Sequence, residues 1–145
     1  MARIHVILAR YTLKTLKHPP SDMVWGFFIA YGRGALHFME KRQKVNSEVY
    51  IDILNDKLKH FMCVAGTNIF QQDNTPCHTA RTIIKWLADN DIELLDWPGN
   101  SPDINRIETL WSIIKARMQE GIYEGIPQLK AALSRFWCLE VTREV

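Results

Sequence analysis

Asp73 and Glu108 are two carboxylates of this chain whose local settings could carry chemistry. Asp73 follows the run Asn68-Ile69-Phe70-Gln71-Gln72, and Glu108 lies in Asn105-Arg106-Ile107-Glu108-Thr109-Leu110-Trp111. Carboxylate oxygens suit hard divalent cations such as magnesium or manganese. Two such ions about 3.5–4 Å apart can activate an attacking oxygen and stabilise a leaving one during displacement at phosphorus. In that chemistry Asp73 and Glu108 are metal ligands and transfer no proton. Glu108 also has a purely structural reading. Asn105 is a good helix N-cap, and Glu108 falls three residues later, where an N-cap–x–x–Glu pattern puts it.

Both positions are set by recognisable elements. Asn68 to Gln72 reads as a short strand with Asp73 at its C-terminal end, and ligands of open α/β sheets bind beyond that end of the strands. Asn74 to Pro76 is a turn, and Thr79 or His78 opens the next helix. Asp96-Trp97-Pro98 closes a second apolar run, Glu93 to Leu95, and Gly99, Asn100, Ser101 and Pro102 are turn residues. Ile107, Leu110, Trp111, Ile114 and Met118 then repeat at helical spacing. Glu108 is about 100° round that helix from Ile107, so it borders the apolar stripe and can face a cleft.

Two long motifs carry a family resemblance. One is Gln72-Asp73-Asn74, Pro76 and His78. The other is Trp97-Pro98, Ser101-Pro102-Asp103, Asn105, Ile107-Glu108 and Trp111, and 34 residues lie between Asp73 and Glu108. With Met23-Val24-Trp25-Gly26 upstream, the chain resembles the catalytic core of Tc/mariner cut-and-paste DNA transposases from about Met23 to about Met118. The resemblance implies a ribonuclease-H-like fold of the retroviral-integrase type, with a mixed sheet flanked by helices. It implies metal-dependent DNA cleavage and strand transfer, with Asp73 and Glu108 as catalytic metal ligands for Mg2+ or Mn2+. It implies transposon-end and target DNA as partners, a nuclear location (cytoplasmic for a decayed fragment) and a homodimer as one assembly.

The resemblance also places Asn74 and His78 at the border of the site. His78 either contacts a phosphate, orients the loop, or simply caps the following helix. Arg106 stands where the family commonly has proline, and either pairs with a carboxylate or reaches a phosphate. Asp103 and Asn105 order the loop through side-chain-to-backbone bonds. Trp97 and Trp111 are able to stack on bases, but Trp111 lies on the apolar stripe and is better read as core.

At 145 residues the chain is long enough for one domain with a real core. A formal charge of +2 and a pI near 8.5 are mildly basic, a weak pointer to nucleic acid. Cys63, Cys77 and Cys138 have no metal-type spacing, and an odd count fits reduced thiols. No apolar run approaches the roughly 18 residues of a membrane span.

Read in order, Ile4 to Ala9 is strand-like, and Pro19-Pro20 ends the segment that follows. Met23 to Tyr31 and Ala35 to Glu40 make a hairpin about Tyr31-Gly32-Arg33-Gly34, with Trp25, Phe27 and Phe28 in the core. His37 is an ordinary strand histidine. Lys41, Arg42 and Lys44 form a solvated basic loop or a phosphate contact. Asn46 or Ser47 caps a helix to about Met62 with Tyr50, Ile53, Leu54, Leu58, Phe61 and Met62 on one face. Thr79 to Ala88 is a helix with Ala80, Ile83, Ile84 and Leu87 inward. Pro127 starts a last helix with Leu129, Ala132, Leu133, Phe136 and Trp137 buried. Strands alternating with helices argue for a mixed sheet covered on both faces.

The family uses three carboxylates, the first on a strand upstream of the hairpin. Asp22 is the only acidic residue before Met23 and stands at the hairpin start, so the first strand is expected to be missing or replaced, with Ile4 to Ala9 as the candidate substitute. Residues 1–22 therefore read as an unmatched N-terminal segment and 23–145 as a partial catalytic domain, a truncated copy or one with a substituted start. Two carboxylates set −2 against the +4 of a cation pair. The expectation is a domain inactive on its own. The alternative is a non-catalytic nucleic-acid-binding or protein-interaction relic of a transposase.

Overall fold

A computed structural model of the chain describes residues 4–12, 21–29, 32–40, 43–95 and 106–144. Its strands are β1 (Ile4–Thr12), β2 (Ser21–Ile29), β3 (Gly32–Phe38), β4 (Ile69–Gln71) and β5 (Glu93–Leu94). Its helices are α1 (Ser47–Ile53), α2 (Lys59–Ala65), α3 (Arg81–Asp89), α4 (Arg106–Gln119) and α5 (Ile126–Glu144).

The strands form one sheet in the order β3-β2-β1-β4-β5. β1 runs antiparallel to β2 and parallel to β4, and β4 runs parallel to β5. The place where a first strand was expected to be missing or replaced is thus filled by Ile4–Thr12, at the centre of the sheet. Its register sets Leu8 opposite Trp25 and His5 opposite Gln71.

β2 explains the layering. Alternate residues of a strand face opposite sides. Trp25, Phe27 and Ile29 enter a cluster with Tyr50, Leu54, Leu58, Phe70, Ile83 and Leu87. Val24 and Phe28 enter a second cluster with Leu110, Trp111, Ile114, Leu133 and Trp137. One sheet is therefore sandwiched between α1 to α3 on one face and α4 with α5 on the other. The near-continuous apolar run of β2 follows from burial on both faces.

Asn46 caps α1 as expected, its side chain accepting from the Val49 N–H at 2.9 Å. The expected single helix to Met62 is interrupted by a π-helical turn, Leu54–Leu58, before α2 resumes it. Both Leu54 and Leu58 stay fully buried through that turn. Gly66 ends α2 in the left-handed conformation (φ 63°), which glycine adopts without a Cβ clash.

The expected opening of α3 at Thr79 or His78 is corrected. The helix starts at Arg81, and Ala80 at its N-cap makes no side-chain capping bond. Ile84, expected inward, is 45% exposed, because it lines a cleft rather than the core. α5 starts one residue before Pro127 and docks through Trp137, whose Nε1–H donates to the Gly34 carbonyl at 3.0 Å.

Residues 13–20, 41–42 and 96–105 lie outside the described residues. So do the expectations placed on Lys41, Arg42, Trp97, Asp103 and the Asn105 cap. No described helix is long and apolar enough to cross a membrane.

Candidate active site

β4 is only three residues long and wholly buried, with Phe70 in the core and Gln71 4% exposed. Two residues beyond its end the chain emerges, and the Asp73 side chain is 46% exposed. The next residues fold back on that carboxylate. The Thr75 N–H donates to Asp73 Oδ1 at 3.0 Å, the side-chain-to-backbone bond of an Asx turn. The His78 N–H then donates to the Thr75 carbonyl at 2.8 Å, closing the turn expected at Asn74 to Pro76.

This turn carries His78 inward. Its side chain is 1% exposed, and Nδ1 lies 2.6 Å from Asp73 Oδ1. The imidazole stacks on the Tyr50 ring at 4.3 Å between centroids and 29° between planes. The Tyr50 hydroxyl donates to Gln72 Oε1 at 2.9 Å, and Gln72 Nε2 donates to the His78 carbonyl at 3.0 Å. Tyr50, Gln72, His78 and Asp73 thus form one connected polar group leading from α1 to the sheet edge. The N-cap of α3 is Ala80 and not His78, and the His78 side chain is buried between Tyr50 and the Asp73 carboxylate.

Burial works to raise the Asp73 pKa, but the hydrogen bonds from His78 and Thr75, and the proximity of His78, outweigh it and bring the carboxyl down to about 2. At neutral pH Asp73 is ionised and its oxygens only accept, so His78 Nδ1 carries the proton of the 2.6 Å bond. His78 Nδ1 and the Thr75 N–H both meet Oδ1, and the Thr75 side chain also favours the charged carboxylate. Asp73 lines a cleft of about 250 Å³ with Gln72, Asn74, Thr79, Ile84, Leu94 and Leu95. Asn74 is exposed at its rim.

Glu108 is exposed in the first turn of α4. α4 packs on β1, and β1 is the neighbour of β4, so Glu108 belongs to the helix laid over the strand next to Asp73. Trp111 is buried at 5%, confirming it as core. Arg106 opens α4, and its side chain lies outside the described residues. Among the described residues no group of three or more His, Cys, Asp and Glu side chains could hold a metal ion. Asp73 and Glu108 are oxygen donors of the type a hard cation takes together with water and phosphate oxygens. β1 (Ile4–Thr12) adds no carboxylate to them.

Sequence reasoning missed Tyr50 and Gln72 at the site. Tyr50 reads as one more apolar-stripe residue of α1, although its hydroxyl, once buried, must find a partner. That requirement was the available signal.

A family model described as DDE superfamily endonuclease matches residues 17–130. The Tcb2 transposase of Caenorhabditis briggsae is 37% identical over 112 residues, 75% of this chain and 40% of that protein. The Tcb1 transposase of the same organism is 32% identical over 131 residues, covering 88% of this chain and 47% of that protein. The chain therefore spans less than half the length of these relatives.

Among solved structures, the catalytic domain of Mos1 mariner transposase matches with a TM-score of 0.76 at 18% identity, over 98% of this chain and 76% of that one. A Mos1 paired-end complex with the left transposon end matches with a TM-score of 0.80 at 15% identity, over 98% of this chain and 52% of that one. The Mos1 catalytic domain is also known with raltegravir and Mn and with raltegravir and Mg. At these identities the likeness establishes the fold, which is ribonuclease-H-like. The family model and the relatives establish the rest: this chain belongs to the DDE endonuclease superfamily, as a DDE domain of the Tc/mariner transposase type.

Proposed function

We propose that this domain derives from the machinery of metal-dependent DNA cleavage and strand transfer, that Asp73 and Glu108 are its surviving cation ligands, and that it is weakly active or inactive as it stands. The supporting observation is Asp73 itself. It is an ionised carboxylate at the C-terminal edge of the sheet, with Oδ1 held by His78 Nδ1 and the Thr75 N–H. A bound Mg2+ or Mn2+ would supply electrostatic stabilisation to the oxygens exchanging on phosphorus. The chain's own contribution is to hold the first carboxylate rigidly and to present the second from α4.

The absence of any carboxylate in Ile4–Thr12 favours a second reading: a DNA-binding module that keeps the fold without the chemistry. DNA as partner and assembly as a homodimer go with either reading, as does nuclear location, with cytoplasmic location for a decayed fragment. A protein-interaction relic would bind no DNA.

Plasmid nicking with Mg2+ or Mn2+ tests the first statement. The expected result is little or no cleavage by the chain alone. Robust cleavage that disappears in Asp73→Ala would overturn the proposed inactivity and leave the site assignment standing. Salt-sensitive DNA binding without cleavage would support the second reading.

A further inference from the structure

We propose that His78 is the positioning residue for Asp73, and that Tyr50 and Gln72 form the clamp that holds His78 in place. This rests on Asp73 being a cation ligand. Asp73 stands on a turn, not on a regular element, so the strand alone does not fix its side chain. A carboxylate with free χ1 rotation loses the pre-organisation that a cation site needs.

The turn supplies the Thr75 N–H, and the Thr75 side chain favours the charged carboxylate as well. A donor that fixes the rotamer has to come from a group that cannot itself rotate. The His78 ring meets that need: it is 1% exposed, stacked flat on Tyr50, and tethered at its carbonyl by Gln72. Gln72 is in turn oriented by the Tyr50 hydroxyl, so each of its amide ends is engaged. Any change in the tilt of the imidazole would move the proton aimed at Oδ1.

The far side of the ring argues against mere packing. His78 Nε2 is buried with no hydrogen-bond partner. An unsatisfied buried polar atom is costly, and an apolar side chain stacked on Tyr50 would avoid it. The imidazole makes sense here for its Nδ1–H, directed at the half-exposed Asp73 carboxylate. With Oδ1 held, the orientation of Oδ2 follows from the planar geometry of the carboxylate.

Two variants separate positioning from packing. His78→Leu fills most of the space and donates nothing. His78→Asn is smaller, but its amide nitrogen sits near the place of Nδ1 and can donate. Three-bond couplings in isotopically labelled protein read whether Asp73 χ1 occupies one rotamer, with no metal present. The wild type and His78→Asn should show one rotamer, and His78→Leu an average. Mn2+ binding, read by water-proton relaxation, should weaken about tenfold in His78→Leu and stay within about threefold in His78→Asn, the range seen when outer-shell partners are altered.

An Asp73 that stays fixed in His78→Leu, with unchanged Mn2+ affinity, overturns the proposal. If wild-type protein binds no Mn2+ that Asp73→Asn removes, the cation reading fails, and the couplings still decide whether His78 positions Asp73. Should His78→Leu not fold, His78→Asn decides alone: a single Asp73 rotamer supports the assignment, and averaging overturns it.

Discussion

At the scale of single residues, the site depends on how Asp73 is held. Its folded-state pKa of about 2 lies below the ordinary value of 3.8. The ionised form is therefore favoured by folding, and the sign follows. Its stabilising contribution is complete above about pH 4 and is lost as the pH falls through about 2. Urea midpoints measured across that acid window should fall for the wild type, and less steeply for Asp73→Asn. An equal fall in both would mean that the His78 and Thr75 bonds do not favour the charged carboxylate. Tyr50→Phe removes the hydroxyl that orients Gln72 and leaves a buried amide oxygen unpaired, a loss of about 1–3 kcal/mol by chemical denaturation. Asp73 was marked out by its place beyond a strand end, where ligands of such sheets bind, and His78 by the family motif it belongs to. Neither could reveal that His78 points inward. That depends on α1 bringing Tyr50 under the turn, a contact between positions 22 residues from Gln72.

At the scale of elements, periodicity carried most of the fold. β2 alternates between two cores, α4 buries Leu110, Trp111, Ile114 and Met118, α5 buries Leu129, Ala132, Leu133 and Trp137 with Phe136 half-buried, and the α1 to α2 helix buries Tyr50, Leu54, Leu58 and Met62. The π-helical turn at Leu54–Leu58 was not legible, since a one-residue widening leaves the apolar spacing nearly unchanged. Ile84 was misplaced because the cleft beside Asp73 takes an apolar wall, and an apolar residue facing a cleft reads like one facing a core. Docking of α5 offers a sharp test. A Cβ on Gly34 would stand 2.2 Å from the Phe27 ring, while the Gly34 carbonyl receives Trp137. Gly34→Ala should cost about 1–3 kcal/mol through overpacking, seen as a lowered melting temperature. β1 is the element of most consequence. Its register with β4 pairs Ile4 with Phe70 and His5 with Gln71, and the two strands run parallel, so the residues just after His5 lead toward the same end of the sheet as Asp73. Ile7→Asp should therefore tighten Mn2+ binding about tenfold or more, as an added ligand charge does. No gain in affinity would show that the missing carboxylate does not belong on this strand.

At the scale of the whole molecule, a three-layer arrangement turns distant segments into neighbours. β4 brings Asp73 to the sheet edge, β1 lies beside it, and α4 covers β1 with Glu108 in its first turn. With a net charge of only +2, DNA binding would rest on local basic residues and be screened by salt. Binding to duplex DNA should weaken at least about tenfold between about 50 and 200 mM salt, as phosphate-directed binding does. Whether Asp73 and Glu108 share one cation is the central claim, and paramagnetic broadening tests it most directly. Substoichiometric Mn2+ added to labelled protein should broaden the amide resonances of Asp73 and Glu108 together, at the same metal concentration. Asp73→Asn should abolish both effects. Broadening confined to one of the two residues, or surviving in Asp73→Asn, would contradict a shared site.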